Sequence, residues 1–172
     1  MSNKPWVLII MGSDSDAEVM SQAAAALDEV GVPYEFTVAS AHRSPDRTKR
    51  AITEAEANGA QVFIAGAGMA AHLPGVVASM TTKPVIGVPL ASGALQGLDA
   101  LYAIVQMPPG IPVATVAIGG ARNAGVLAAQ IMAASDSALA GRLQAQRVKM
   151  AEGVAQKSKK VERSTRNDTP SS

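Results

Sequence analysis

The chain has no cysteine. Disulfides, thiolate-bound metals and a cysteine nucleophile are therefore excluded together. Aromatic residues are scarce, with one Trp, two Tyr and two Phe in 172 residues. Charge of either sign is scarce too, and the net charge is +1. A nucleic-acid surface needs clustered cations with interleaved aromatics. Here the cations gather late, from Arg142 to Arg166, mixed with Glu152 and Glu162. No nucleic-acid partner is expected. No apolar run approaches the roughly 20 residues of a membrane span, and Val7–Met11 is too short for a signal-peptide core. No membrane partner is expected, and a cytoplasmic location is the default.

What is present is 48% hydrophobic and 17% charged, a balance that suits a folded domain. The apolar content is mainly Ala, Val, Ile, Leu and Met. Small side chains bury little area each, so one subunit gains limited hydrophobic stabilisation. A homo-oligomer that completes the core is the expectation.

Along the chain, short apolar runs alternate with helical segments. Trp6–Met11 reads as a strand buried on both faces, and Tyr34–Val38, Gln61–Ala65, Pro84–Val88 and Val113–Ile118 as four further strands. Helices are expected at about 16–30, closed by Gly31 as a C-cap glycine, and at about 45–57, opened by Ser44 as N-cap and Pro45. Further helices are expected to end near Met80, to cover 101–106, and to span about 123–134 and 137–154. Five such units with short connections predict a parallel sheet between two helical layers. The expected class is a three-layer, doubly wound, flavodoxin-like α/β fold with an extra C-terminal helix. Residues 1–156 read as one domain, and the polar segment 157–172 as a disordered tail.

In such sheets ligands bind beyond the carboxyl ends of the strands. The loops after the first three strands hold the unusual residues: Gly12-Ser13-Asp14-Ser15-Asp16, Ser40-Ala41-His42-Arg43, and Gly66–Gly75 with His72. Both histidines of the chain lie in these loops. Ser13 and Asp16 suit sugar hydroxyls near one phosphate, or alternatively cap a helix. Histidine is the side chain that gives and takes protons near neutrality, and Arg43 beside His42 can grip a phosphate or carboxylate. His42 is therefore a candidate acid/base group, although a loop histidine is often only a surface residue. His72 reads either as a second site histidine or as a helix-start residue bonded to backbone, the commoner arrangement. GAGMAAH follows the third strand and lacks the full dinucleotide-binding spacing. The two histidines have no carboxylate partner at metal-ligand spacing. On physical grounds the reading stops at a small anionic, nucleotide-like ligand and histidine acid/base chemistry.

Five blocks in order carry a resemblance: MGSDSD (11–16), SAHRSP (40–45), AGAGMAAHLPG (65–75), GVP (87–89) and QMPPGIPVATVAIG (106–119). Together, over roughly residues 6–135, they resemble the N5-carboxyaminoimidazole ribonucleotide mutases of bacterial-type purine synthesis. The resemblance implies isomerisation to 4-carboxy-5-aminoimidazole ribonucleotide by loss and recapture of carbon dioxide, with no ATP, metal or organic cofactor. It implies that His42 is the general acid/base. It further implies that Ser13, Asp16 and Arg43 bind the ribose-phosphate end, with Ser40 and Ala41 completing that substrate-binding loop, and that the Gly66–Leu73 segment, with Gly68, Ala70, Ala71, His72 and Leu73, lines the carbon dioxide and carboxylate pocket. A homo-octamer is implied as well. AAHLPG favours the mutase over the animal-type direct carboxylase. A non-catalytic nucleotide-binding module is the other alternative, and it would not need His42. Two departures stand out: Ala17 occupies a position usually bulky in the family, and the 119–125 segment is about two residues short before Asn123.

Overall fold

The computed structural model describes residues 6–166 of the chain. The elements run β1 (Trp6–Met11), α1 (Ala17–Glu29), β2 (Tyr34–Val38), α2 (Pro45–Ala57), β3 (Ala60–Gly68), α3 (Leu73–Met80), β4 (Val85–Leu90), α4 (Leu98–Val105), β5 (Ala114–Thr115), α5 (Ala121–Ala133) and α6 (Ser137–Arg166). The sheet order is β2-β1-β3-β4-β5, with every pair parallel. This is the flavodoxin-like doubly wound order, and its direction reverses between β1 and β3.

Strand periodicity explains how both faces are covered. In β1, Val7, Ile9 and Met11 join one apolar cluster, while Trp6, Leu8 and Ile10 join another. The first cluster packs under α1 and α5 and takes in Leu139 and Leu143 of α6. The second packs under α2, α3 and α4. All six β1 residues are buried, as the unbroken apolar run requires. The Trp6 indole closes the near end by donating from Nε1 to the Asn58 carbonyl, 2.9 Å away.

Helix ends follow local chemistry. At the end of α1, Gly31 (φ +65°) donates to the Asp28 carbonyl and Val32 to the Leu27 carbonyl. These paired bonds form a Schellman motif, which a residue without Cβ adopts at least cost. Ser44 departs from the expected cap: its side chain makes no cap hydrogen bond. Its hydroxyl instead accepts from the Ser40 amide and donates to the Ser40 carbonyl, each at 3.1 Å.

Three other differences have physical reasons. β5 is two residues long, since its pairing with β4 stops where the chain bends towards Gly119 (φ +70°), with Gly120 donating to the Ala117 carbonyl. α5 begins at Ala121, so Asn123 lies inside its first turn and not before it. The segment 157–166, expected to be disordered, continues α6. Gln, Lys, Glu and Arg are good helix formers whose polarity suits a solvated helix, and Ser158 Oγ donates to Glu162 Oε1 four residues on. The remaining part of the expected tail, 167–172, lies outside the described residues. None of the described helices is long and apolar enough to cross a membrane.

α6 is fastened at its start by polar contacts. Glu29 at the end of α1 accepts two bonds from Arg122 of α5, at 2.8 and 2.9 Å, and a third from Gln146 of α6. Arg142 Nε donates to the Val30 carbonyl at 2.7 Å. The Arg122 guanidinium holds the Glu29 carboxyl below its ordinary range.

Candidate active site

The switch between β1 and β3 places the first and third loops side by side, with the loop after β2 leaning across them. A cavity of about 380 Å³ opens at that carboxyl edge. Its wall includes Ser13 and Asp16 from the first loop, Ser40, Ala41, His42 and Arg43 from the second, and Gly68, Ala70, His72 and Leu73 from the third. Ten of the eleven residues named from the sequence therefore meet at one place. Ala71 does not line it, because its methyl is buried in the core cluster below. Two tight bonds, Ala71 amide to Met69 carbonyl and His72 amide to Ala70 carbonyl, fold the loop so that Ala71 points inward.

The first loop is built by its own side chains. Ser13 caps a 3-10 turn over Asp14–Asp16, and the Asp16 carboxylate accepts from the Ser13 amide at 3.1 Å. Capping does not withdraw these side chains from the cavity: the capping pair itself forms part of its wall. Burial pushes the Asp16 carboxyl above its ordinary value, and Asp14 adds to this. Hydrogen bonds from Ser13 and Ser15 and the charge of Arg43 pull the other way.

The second loop is a turn locked by serines. Ser40 Oγ accepts from the Arg43 amide at 3.2 Å, while Ser44 holds both backbone groups of Ser40. Arg43 Nη2 donates to the Gly12 carbonyl at 3.2 Å and ties the first and second loops together. The turn thus presents His42 and Arg43 side by side at the strand end.

The third loop brings the second histidine to the first. His42 Nε2 and His72 Nδ1 are 2.8 Å apart, with ring centroids at 4.8 Å and ring planes at 81°. His72 occupies the N-cap position of α3, but its side chain makes no cap hydrogen bond. It faces the other histidine and not the backbone. Met69 holds φ +53°, rare for a side chain with Cβ, and is 59% exposed at the cavity rim.

Sequence reasoning missed Ser92, which joins the wall from the loop after β4. The serine in the Gly/Ser/Ala run after that strand was the available signal. Met69 lies in the expected Gly66–Leu73 segment, but its backbone state has no sequence signature. A larger cleft of about 840 Å³ lies at the opposite, amino edge of the sheet. Lys83 and Asp136 are the charged side chains that line it, whereas both histidines lie on the smaller cavity.

The family model described as AIR carboxylase matches residues 6–153. The chain belongs to the AIR carboxylase family. Within the family it is 54% identical over 161 residues to the N5-carboxyaminoimidazole ribonucleotide mutase of Pyrococcus horikoshii, covering 94% of this chain and 91% of that protein. It is also 52% identical over 159 residues to the phosphoribosylaminoimidazole carboxylase of Schizosaccharomyces pombe, covering 92% of this chain but 29% of that longer protein. The crystal structure of Treponema denticola PurE superposes with a TM-score of 0.83 at 29% identity, over 91% of this chain and 98% of that one.

Proposed function

We propose that this AIR carboxylase family enzyme converts N5-carboxyaminoimidazole ribonucleotide to 4-carboxy-5-aminoimidazole ribonucleotide in purine synthesis, with His42 as general acid and base. The observation that carries the reading is His42 on the cavity wall, paired with His72 and flanked by Arg43, Ser13 and Asp16. Protonated His42 delivers a proton to the carbamate nitrogen as its bond to the carboxyl carbon breaks and carbon dioxide departs. The ring C4 carbon then bonds to the retained carbon dioxide. His42 takes the C4 proton, which returns the enzyme to its starting state. One proton moves from carbon to nitrogen overall, so no other reactant is consumed.

The remaining wall divides by chemistry. Arg43, Ser13 and Asp16 take the ribose-phosphate end, with Ser40 and Ala41 shaping the turn. Gly68, Ala70, His72 and Leu73 enclose the carbon dioxide, where main chain approaches closely and water is excluded. The protein works in the cytoplasm as a homo-octamer. Leu95, Leu98, Tyr102 and Val105 around α4 and Val148, Met150, Val154 and Val161 along α6 are exposed apolar side chains that assembly would cover. Sedimentation should find a species near eight times the 17.5 kDa chain mass, and a stable monomer at micromolar concentration would remove the assembly.

The deciding experiment is turnover of N5-carboxyaminoimidazole ribonucleotide with EDTA present and ATP absent. Rapid formation of the 4-carboxy isomer is expected. His42→Asn should abolish it and leave nucleotide binding within several-fold. The name of the Schizosaccharomyces pombe relative supports a second reading, direct carboxylation of aminoimidazole ribonucleotide. Fast product formation from that nucleotide with modest bicarbonate, and none from the carbamate, would establish it instead.

A further inference from the structure

The facing imidazoles restrict their own protonation. A hydrogen bond between His42 Nε2 and His72 Nδ1 needs one proton between the two nitrogens. If both rings were imidazolium, both facing nitrogens would carry protons and the bond would break. In this geometry the pair holds at most one positive charge. Among the described residues, neither His42 Nδ1 nor His72 Nε2 has a hydrogen-bond partner. His72 is fixed from behind: its amide donates to the Ala70 carbonyl at 2.8 Å, and its carbonyl accepts from Val76 in the first turn of α3.

We propose that His72 is the positioning residue for His42: it accepts from His42 Nε2–H throughout the cycle and leaves His42 Nδ1 to exchange the proton with substrate. The proposal rests on the acid/base role given to His42 above. In the starting state His42 is imidazolium, with Nε2–H directed at His72 and Nδ1–H at the substrate. When the carbamate nitrogen takes the Nδ1 proton, His42 becomes the neutral Nε2–H tautomer, which His72 already holds. When C4 bonds to carbon dioxide, Nδ1 takes the C4 proton and the imidazolium is restored. His72 neither gains nor loses a proton, and the ring of His42 need not turn between the two transfers. A base held by a third group through its distal nitrogen is a recurrent catalytic device. Here the group is a neutral imidazole on the opposite loop. Asp16 and Arg43 are the other charged side chains on the cavity wall.

The test compares His72→Leu, which removes the acceptor, with His72→Asn, which keeps an acceptor oxygen but cannot titrate. His72→Leu should lower kcat roughly tenfold to a hundredfold, a part of the ~10² to 10⁴ that a positioned acid/base supplies. Nucleotide affinity should stay within several-fold. His72→Asn should recover most of the rate. It should also extend activity to lower pH, because the second proton that breaks the pair has nowhere to go. In ¹⁵N-histidine spectra of the whole protein, neutral His42 should be the Nε2–H tautomer in wild type and a mixture in His72→Leu. An Nδ1–H tautomer in wild type would overturn the proposal. So would a His72→Leu enzyme with unchanged kcat and pH profile. Should His72→Leu not fold, the wild-type spectrum and His72→Asn still decide the matter. The spectrum needs no turnover, so it separates failure of this proposal from failure of the assigned reaction.

Discussion

Gly125 in the middle of α5 offers a test in which two physical effects have opposite signs. By helix propensity alone, Gly125→Ala should stabilise the protein by about 1 kcal/mol. The structure predicts the reverse. A Cβ at this position would lie 2.5 Å from the Ala23 carbonyl oxygen and 2.9 Å from the Ala26 Cβ on α1. These obstructions are main chain and a methyl on a packed helix, so no rotamer change removes them. The helices must separate, and overpacking of this kind costs typically 1–3 kcal/mol. The obstruction is backbone, which places the cost towards the upper end and leaves a net destabilisation of about 1–2 kcal/mol. That corresponds to a midpoint lowered by roughly 2–8 °C for a chain of this size. The assay is thermal unfolding by circular dichroism at fixed protein concentration, since association would itself shift the midpoint. Gly141→Ala in α6 is the matched control, because a Cβ there meets nothing within 4 Å. It should raise stability by about 0.5–1 kcal/mol. If Gly125→Ala also raised the midpoint, the close approach of α1 and α5 would be wrong.

Two further substitutions probe charge. Because burial raises the Asp16 carboxyl above its ordinary 3.8, the native state holds that proton more tightly than the unfolded chain. The resulting penalty is absent below 3.8 and grows as pH rises through the raised value. Asp16→Asn should therefore be more stable than wild type at neutral pH, with the gap closing on acidification, while nucleotide binding weakens; urea midpoints that differ equally at both pH values would contradict this. Glu29 has the opposite sign: its lowered value means stabilisation present above the ordinary 4.5 and lost as pH falls through the lowered value. The pair is exposed, so Glu29→Gln should cost no more than about 1 kcal/mol, and less in high salt. Hydrogen exchange should show the loss first at the start of α6, where Arg142 and Gln146 dock.

The legible parts of the fold were those in which one residue type has one physical use. Apolar runs gave β1, β3 and β4 their places, and Gly31 marked the end of α1 because few other residues accept its φ. Both histidines and Arg43 stood out at strand ends, where a parallel sheet puts its ligands. Residues with several uses were not legible. Ser44 looked like a cap but its hydroxyl went to Ser40, since both acceptors lay within reach of one side chain. The polar end of α6 has a composition compatible with either coil or solvated helix. Ala71 shares its loop with Ala70, yet only the fold decides which methyl faces the cavity. The distance between His42 and His72 separates residues 30 positions apart and could not be read from either loop alone.

Ala67, Gly68 and Ala70 on the third-loop side of the cavity leave that part of its outline to the main chain. A Cβ added at Gly68 would meet the Ser92 hydroxyl at 2.5 Å and the Leu90 carbonyl at 3.2 Å. Little side-chain bulk can be trimmed at those three positions, and at Gly68 little can be added without moving a strand end. An inhibitor shaped to lean there would leave the chain few single substitutions by which to escape.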